Sequence, residues 1–138
     1  MTIKKLLISN RGEIASRIIK SAHDMGITCV AIYTEADKNT PYVREADQSF
    51  KLSDSYLNAK EILEIAKKNN VDAIHPGYGF LSENANFANN VKKAGMKWVG
   101  PSANAIKKMG DKITAKTLAE KAGVPTCLLY TSDAADDV

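Results

Sequence analysis

The sequence contains little cysteine and little histidine. Its 138 residues include two cysteines, Cys29 and Cys127, and two histidines, His23 and His75. Cysteines without a Cys-x-x-Cys spacing support neither a zinc site nor a disulfide framework, and we expect Cys29, in an apolar run, to be a small buried thiol. The histidines lie in unrelated contexts, so we expect neither to bind a metal, and no Ser-His-Asp or Cys-His catalytic set can be argued. Such cysteine usage is typical of a reducing, cytoplasmic compartment.

Long apolar runs and strong charge of one sign are also missing. No run approaches the roughly 18 residues that a membrane span needs, and residues 1–10 lack the apolar core of a secretory signal. The net charge is only +3, and the basic residues are scattered along the chain. These features argue against a membrane or nucleic-acid partner. With 44% hydrophobic and 25% charged residues, the composition is typical of one soluble globular domain.

Short apolar runs alternate with helical periodicity along the chain. The runs predict five strands, Leu6–Ile8, Thr28–Tyr33, Gln48–Leu52, Val71–His75 and Lys97–Gly100. Helices are predicted to begin near Ile14, Asn58, Asn84, Ala103 and Lys112, and the segment Thr34–Pro41 is predicted to be a polar turn. This alternation predicts an α/β fold with a mostly parallel sheet, right-handed crossovers and helices on both faces.

The first predicted strand is followed by Ser9–Glu13, which leads into a helix. Free N–H groups at a helix start suit an anion, but a single glycine does not make a dinucleotide fingerprint. Glu35 and Asp37 follow the second strand, where a ribose-binding acid could lie. In the structural interpretation Arg11 instead pairs with an acid. A dinucleotide-binding oxidoreductase domain stays open as an alternative.

The segment His75–Asn84 combines a strand end, a Pro-Gly turn and a second glycine next to an aromatic residue. Gly77 and Gly79 permit backbone angles that other residues avoid, and they let a ligand approach the main chain. Tyr78 offers a ring face and a hydroxyl group. We expect Ser82 to cap the next helix. The alternative is a tight turn with a purely structural role.

The last part of the chain holds one candidate site residue and an unusual tail. Lys112 lies near a predicted helix start, where a cation is unfavourable, so it is a candidate to reach a phosphate. The alternative is a plain exposed lysine. Residues 127–138 contain three aspartates and no basic residue, and they continue no recognisable pattern. We therefore expect a domain over residues 1–126 and a non-native tail over residues 127–138.

Six motifs together resemble the biotin carboxylase family, and they occur in the family's order and spacing over residues 2 to 126. The resemblance implies a Rossmann-like preATP-grasp domain. The segment His75–Asn84 is the most specific of the six. The motifs are Ile8–Ala15, Ser55–Asn58, His75–Asn84, Gly100–Pro101, Met109–Lys112 and Ala122–Pro125.

This resemblance implies an enzyme that uses ATP and bicarbonate, with Mg²⁺ or Mn²⁺, to carboxylate biotin on a carrier protein. By position, Lys112 is expected to contact ATP phosphates, and Tyr78 and Gly79 to line the biotin pocket. Lys20 and Asp24 match positions at the dimer interface of homodimers in the family.

The family's metal ligands and most of its catalytic groups belong to the region after this one, so we expect the chain to be inactive alone. A biotin carboxyl carrier protein and a carboxyltransferase component, which selects the acyl-CoA, are the implied partners. A non-catalytic interaction module remains a further alternative.

Overall fold

The computed structural model describes residues 3–110, and its strands and helices follow the predicted order apart from one added helix between the second and third strands. The strands are β1 (Lys5–Ile8), β2 (Thr28–Tyr33), β3 (Gln48–Lys51), β4 (Ala73–His75) and β5 (Lys97–Trp98). The helices are α1 (Gly12–Asp24), α2 (Pro41–Glu45), α3 (Ala59–Lys68) and α4 (Ala85–Lys93), with 3-10 helices at Glu35–Asp37 and Phe80–Glu83.

The chain divides into two compact units, residues 1–103 and residues 104–138. All the elements named above belong to the first unit. The described part of the second unit, residues 104–110, is helical. Lys112, the predicted helix after it, the domain limit at residue 126 and the tail over residues 127–138 lie outside the described residues.

The five strands form one sheet in the order β3-β2-β1-β4-β5, and every neighbouring pair is parallel. From β1 to β3 the chain moves towards one edge, and it then returns past β1 to build the other half. Because crossovers are right-handed, this reversal places the α1 and α2 connections on one face and the α3 and α4 connections on the other. The predicted Rossmann-like α/β fold with a parallel sheet is confirmed.

The sheet is buried on both faces. On one face, strand residues pack with the inner sides of α1 and α2 in a cluster that comprises Leu6, Ile8, Ala15, Ile19, Ala22, Cys29, Ala31, Tyr42 and Ala73. Neighbouring residues in a strand point to opposite faces, and the alternate residues Leu7, Val30, Ile32 and Ile74 are fully buried as well. Each such side chain contributes about 1.5–3 kcal/mol through burial, so the two-sided core holds the strand ends in place.

The helix starts agree only in part with the predictions. The Asn58 side chain caps α3 by accepting a hydrogen bond from the Glu61 N–H at 3.1 Å. The Glu61 carboxylate does not complete a capping box, since it accepts from Ser53 instead. The prediction that Ser82 caps α4 is wrong, because the chain first forms the 3-10 helix Phe80–Glu83. Asn84, which has extended backbone angles, accepts from the Phe87 N–H and caps α4.

Helix α2 was not predicted. The polar segment before it forms the short 3-10 helix Glu35–Asp37, and Pro41 then occupies the first position of α2, where its missing N–H has no structural cost. Tyr42 follows and is buried. Within residues 3–110, none of the helices is long and apolar enough to cross a lipid bilayer.

Candidate functional site at the strand ends

The carboxyl ends of β1 and β4 lie side by side. Ile8 is the register partner of His75, and the Ser9 N–H donates to the His75 carbonyl at 2.9 Å. β1 begins the half of the sheet that contains β2 and β3, and β4 begins the half that contains β5. From the boundary between β1 and β4, the chain therefore builds the sheet in opposite directions. In open α/β sheets, the crevice at such a switch point is where ligands bind.

Asn10 holds the glycine turn against the end of β1. Its Nδ2 donates to the Pro76 carbonyl at 2.8 Å and to the Tyr78 carbonyl at 2.6 Å. Its Oδ1 accepts from the Arg11 N–H at 2.9 Å. The side chain is buried, and its carboxamide uses both donors and its acceptor. Asn10 belongs to the Ser9–Glu13 motif, but its role could not be predicted from the sequence because its partners are 66 and 68 residues away.

Gly77 is required by two independent features of the turn. Its φ angle is +62°, which L side chains rarely adopt, and a Cβ atom there would lie 2.6 Å from Asn10 Nδ2 and 3.0 Å from Ile14 Cγ2. Contacts that short are strongly repulsive in a packed interior. The glycine therefore allows the turn to lie directly on the Asn10 carboxamide.

Tyr78 and Gly79 form the outer part of the turn. The Tyr78 residue is 60% exposed. Gly79 has φ +66° and ψ −161°, a combination that is essentially restricted to glycine. Among residues 3–110, no atom lies within 4 Å of where a Cβ at Gly79 would be, so these residues leave the main chain open on that side. Phe80, with φ +49°, packs its ring on Tyr56 at a centroid distance of 5.3 Å.

His75 is part of the support of the turn. Its Nδ1 accepts a hydrogen bond from the Gly77 N–H at 3.1 Å, which requires an unprotonated nitrogen at that position. Burial lowers the pKa of His75 below its usual value, because the charged imidazolium is disfavoured away from water. This agrees with the prediction that His75 is satisfied by the structure.

A second polar cluster lies at the end of β2. The Asp37 carboxylate accepts from Arg11 Nε at 2.6 Å and from Arg11 Nη2 at 2.7 Å. It also accepts from the Tyr56 hydroxyl at 2.5 Å, and the Tyr56 and Tyr42 hydroxyls are 2.6 Å apart. The Arg11 hydrogen bond, with further help from Tyr56, holds the pKa of Asp37 below its ordinary value of 3.8 against the opposing effect of burial.

This cluster decides between the two interpretations of the acids after β2. Asp37 is buried and engaged by Arg11 and Tyr56. Glu35 forms ion pairs with Lys38 at 2.8 Å and Lys51 at 2.7 Å. The buried Asp37 carboxylate is therefore not available to a ribose, whereas Glu35 is exposed and pairs with surface lysines. The pairing of Arg11 with an acid is confirmed, and the dinucleotide alternative is not supported.

The structure places Lys20 and Asp24 on the exposed side of α1. They line a surface depression of about 850 Å³ between α1 and α2. Lys20 lies eight residues beyond the start of α1, which corresponds to about 12 Å along a helix axis. The two candidate interface residues therefore belong to a surface separate from the Tyr78–Gly79 turn.

A doubly wound parallel sheet with a glycine turn at its switch point defines a ligand-binding domain of the α/β class. The particular family follows from comparison with known proteins. The sequence profile of the family described as biotin carboxylase, N-terminal domain, matches residues 2–106. The chain belongs to this family.

Individual relatives agree with this assignment. Biotin carboxylase 1 of Bacillus subtilis is 52% identical over 128 residues, which cover 89% of this chain and 28% of the relative. The mitochondrial pyruvate carboxylase of Homo sapiens is 45% identical over 129 residues, which cover 89% of this chain and 11% of the relative. The chain thus spans less than a third of the length of either relative.

Solved structures give the same result for the fold. The biotin carboxylase domain dimer of the 2-oxoglutarate carboxylase from Hydrogenobacter thermophilus superposes with a TM-score of 0.79 and 42% identity. The match covers 91% of this chain and 28% of that one. That structure was determined in complex with MgADP, ADP and bicarbonate.

Proposed function

We propose that this chain supplies one wall of the biotin site in a biotin carboxylase, an ATP-dependent ligase. The whole enzyme would use ATP and bicarbonate to carboxylate biotin held on a carrier protein. The observation that carries the proposal is the Tyr78–Gly79 turn, which Asn10 fixes at the switch point of the sheet. Its place in the fold is where a ligand is expected, and the biotin carboxylases among the relatives support the choice of ligand.

The chemistry of the turn suits the ureido ring system of biotin. Tyr78 offers an exposed aromatic face for apolar packing and a hydroxyl for hydrogen bonding. Gly79 lets the ligand approach the main chain, since no Cβ covers it. Asn10 donates hydrogen bonds to the carbonyls of Pro76 and Tyr78, so contacts within the chain hold the turn in place without a ligand. A preformed site loses less conformational entropy on binding.

Lys112 is proposed to contact the ATP phosphates, where its ammonium group would offset their charge. The reaction in this family also needs Mg²⁺ or Mn²⁺. The two acids that follow β2 do not fit a metal, because Asp37 is held by Arg11 and Tyr56 and Glu35 by two lysines. We assign no residue of the range 3–110 to this metal.

The proposed partners are a biotin carboxyl carrier protein or domain and a carboxyltransferase component, in the cytoplasm. Lys20 and Asp24 are proposed to contribute to a homodimer interface next to the depression between α1 and α2. Lys can pair with a carboxylate but lacks the two-pronged geometry of Arg. We therefore expect this interface to depend on salt concentration more than one built with arginine.

A chimera tests the proposal directly. Residues 1–126 of this chain replace the matching segment of the Bacillus subtilis biotin carboxylase 1, and biotin-dependent ATP hydrolysis is measured. We expect an active chimera in which Tyr78→Ala raises the KM for biotin about tenfold, with little change in the KM for ATP. Lys112→Ala should raise the KM for ATP instead, and the exposed Lys93→Ala serves as the matched control. An unchanged biotin KM in Tyr78→Ala would contradict the assignment of the turn.

The isolated chain provides a second test. We expect the purified 138-residue protein to show no bicarbonate-dependent ATP hydrolysis above the background without enzyme, because most catalytic groups of the family lie outside the segment that matches. Turnover by this chain would show that it carries more of the catalytic machinery than we propose.

A further inference from the structure

His23, Cys29 and Asp47 come from three successive parts of the chain and meet at one surface of the sheet. His23 lies in the last turn of α1, Cys29 in β2 and Asp47 just before β3. One potential ligand atom from each residue lies within 4.8 Å of the other two. From their joint geometry we propose that these three residues form a binding site for a single transition-metal ion of the zinc type. This site shares no residue with the proposed biotin wall at Tyr78 and Gly79.

The donor set has the chemistry that zinc prefers. A thiolate, an imidazole and a carboxylate are its common protein ligands, with bond lengths of about 2.3, 2.0 and 2.1 Å. Two atoms bound to one ion at the tetrahedral angle are therefore about 3.5 Å apart. The observed separations are at most 4.8 Å, and the partly exposed His23 side chain has room to rotate and close the set. Mg²⁺ and Ca²⁺ are excluded, since they prefer oxygen ligands only.

The surroundings show how the three groups are held without a metal. Asp47 Oδ2 accepts from the Cys29 N–H at 2.7 Å and lies 2.8 Å from His23 Nε2. The Cys29 side chain is buried below them, 3.7 Å and 3.9 Å from the carbonyls of Ile27 and Ile19. Asp47 thus fixes the backbone of Cys29, and its carboxylate has a second oxygen with which to bind an ion.

An open recess leads to this cluster. It has a volume of about 330 Å³ and is lined by His23, Gly26, Ile27, Thr28 and Asp47. An ion entering from the recess would contact the imidazole and the carboxylate first and the buried sulfur last. A water molecule from the recess can occupy the fourth position, as in zinc sites with three protein ligands.

Binding requires the Cys29 thiol to lose its proton. Burial and the nearby Asp47 charge raise the pKa of this thiol to about 11, so the free protein holds the neutral form. A coordinated zinc ion deprotonates a thiol, a metal–sulfur bond forms, and the proton passes to the solvent. No oxidation or reduction is involved.

The test uses the reduced 138-residue chain with Co²⁺ and Zn²⁺ as probes. We expect calorimetry to show one ion per chain, and Co²⁺ to give a thiolate-to-metal charge-transfer band. Cys29→Ser should abolish the band and weaken binding more than about 100-fold, beyond the cost of losing an outer-shell partner. Cys127→Ser, the matched control, should leave the band and the affinity unchanged.

A second variant keeps the test decisive if Cys29→Ser fails to fold. His23 is partly exposed on the surface of α1, so His23→Gln is expected to fold. It should retain a weak thiolate-to-Co²⁺ charge-transfer band and lose most of the affinity for the ion. His75→Asn controls for the other imidazole. Absence of stoichiometric binding, or binding that survives His23→Gln and Cys29→Ser, would overturn the proposal. In that case the three residues serve only as a hydrogen-bonded contact between α1, β2 and the start of β3.

Discussion

Arg11 and Asp37 form a two-pronged ion pair, with Nε and Nη2 of the guanidinium 2.6 and 2.7 Å from the two carboxylate oxygens. The pair connects the residue before α1 to the 3-10 helix that follows β2. The Asp37 side chain is 5% exposed and the Arg11 side chain 48%. Solvent therefore screens the ion pair from the Arg11 side only. On the buried side, the Tyr56 hydroxyl donates a further hydrogen bond to the Asp37 carboxylate.

Arg11→Ala should destabilise the chain by about 2 kcal/mol. It leaves a buried carboxylate with Tyr56 as its main remaining partner, and hydrogen bonds to charged groups contribute about 1.5–3 kcal/mol. Arg17→Ala is the matched control, since Arg17 pairs with Glu13 on the exposed surface of α1 and such pairs contribute about 0.3–0.5 kcal/mol. Urea unfolding followed by circular dichroism measures both. Equal losses in the two variants would contradict the structural role of the Asp37 pair.

The Arg11–Asp37 pair should also make stability depend on acid. The folded-state pKa of Asp37 lies below its ordinary value of 3.8, so the unfolded chain takes up a proton first as the pH falls. This contribution is fully present above about pH 5 and is lost as the pH falls through 3.8 towards the folded-state value. The free energy of unfolding should therefore decrease less between pH 5 and pH 2 in Arg11→Ala than in the unchanged chain. Parallel profiles would show that Asp37 is not the group responsible.

Gly77→Ala should lower the free energy of unfolding more than Gly26→Ala, which introduces backbone strain alone. Gly26 has φ +76° and open space where a Cβ atom would lie, whereas Gly77 has φ +62° and the Asn10 carboxamide at 2.6 Å. Positive φ costs an alanine about 1–2 kcal/mol, and overpacking adds about 1–3 kcal/mol. Thermal unfolding of Gly77→Ala and Gly26→Ala gives the difference directly. A similar shift in both would indicate that the turn can move away from Asn10.

His75→Asn should reduce the dependence of the free energy of unfolding on pH while it keeps the hydrogen bond to the Gly77 N–H. Asn Oδ1 can replace Nδ1 as the acceptor for the Gly77 N–H. Burial lowers the folded-state pKa of His75 below 6.5, so the unfolded chain binds more protons as the pH falls below that value, and stability decreases there. Above pH 6.5 the unchanged chain and the variant should behave alike. Between about pH 6.5 and 5 the variant should lose less stability, and urea unfolding across this range measures the effect.

Much of the fold could be predicted from the sequence because its signals are local. Apolar runs such as Thr28–Tyr33 indicated buried parallel strands, and Asn58 indicated a helix start. The partner of Arg11 was predicted only as an acid, since Glu35 and Asp37 follow the same strand. The cap at Ser82 was predicted wrongly, because the positive φ of Phe80 has no sequence signal in a residue other than glycine.

The polar contacts of the candidate site needed the three-dimensional arrangement. Asn10 donates to backbone carbonyl groups. Every residue has such a carbonyl, so the sequence does not indicate which ones Asn10 binds. His23 lies in α1, Cys29 in β2 and Asp47 just before β3. Together they show no ligand spacing in the sequence. They become neighbours because β1, β2 and β3 are adjacent in a parallel sheet, with α1 returning the chain to the start of β2.

Asn10→Asp should be the most informative substitution in the proposed biotin site. The change keeps the size of the side chain but replaces two N–H donors by a carboxylate oxygen that faces the Pro76 and Tyr78 carbonyls. Losing both hydrogen bonds and burying a charge should cost about 3–4 kcal/mol. Asn69→Asp is the matched control, because Asn69 also donates to a carbonyl, that of Ile65, but at the partly exposed end of α3. Its cost should stay near 1 kcal/mol. If both variants unfold at the same urea concentration, Asn10 does not hold the turn, and a preformed biotin wall at Tyr78–Gly79 loses its structural basis.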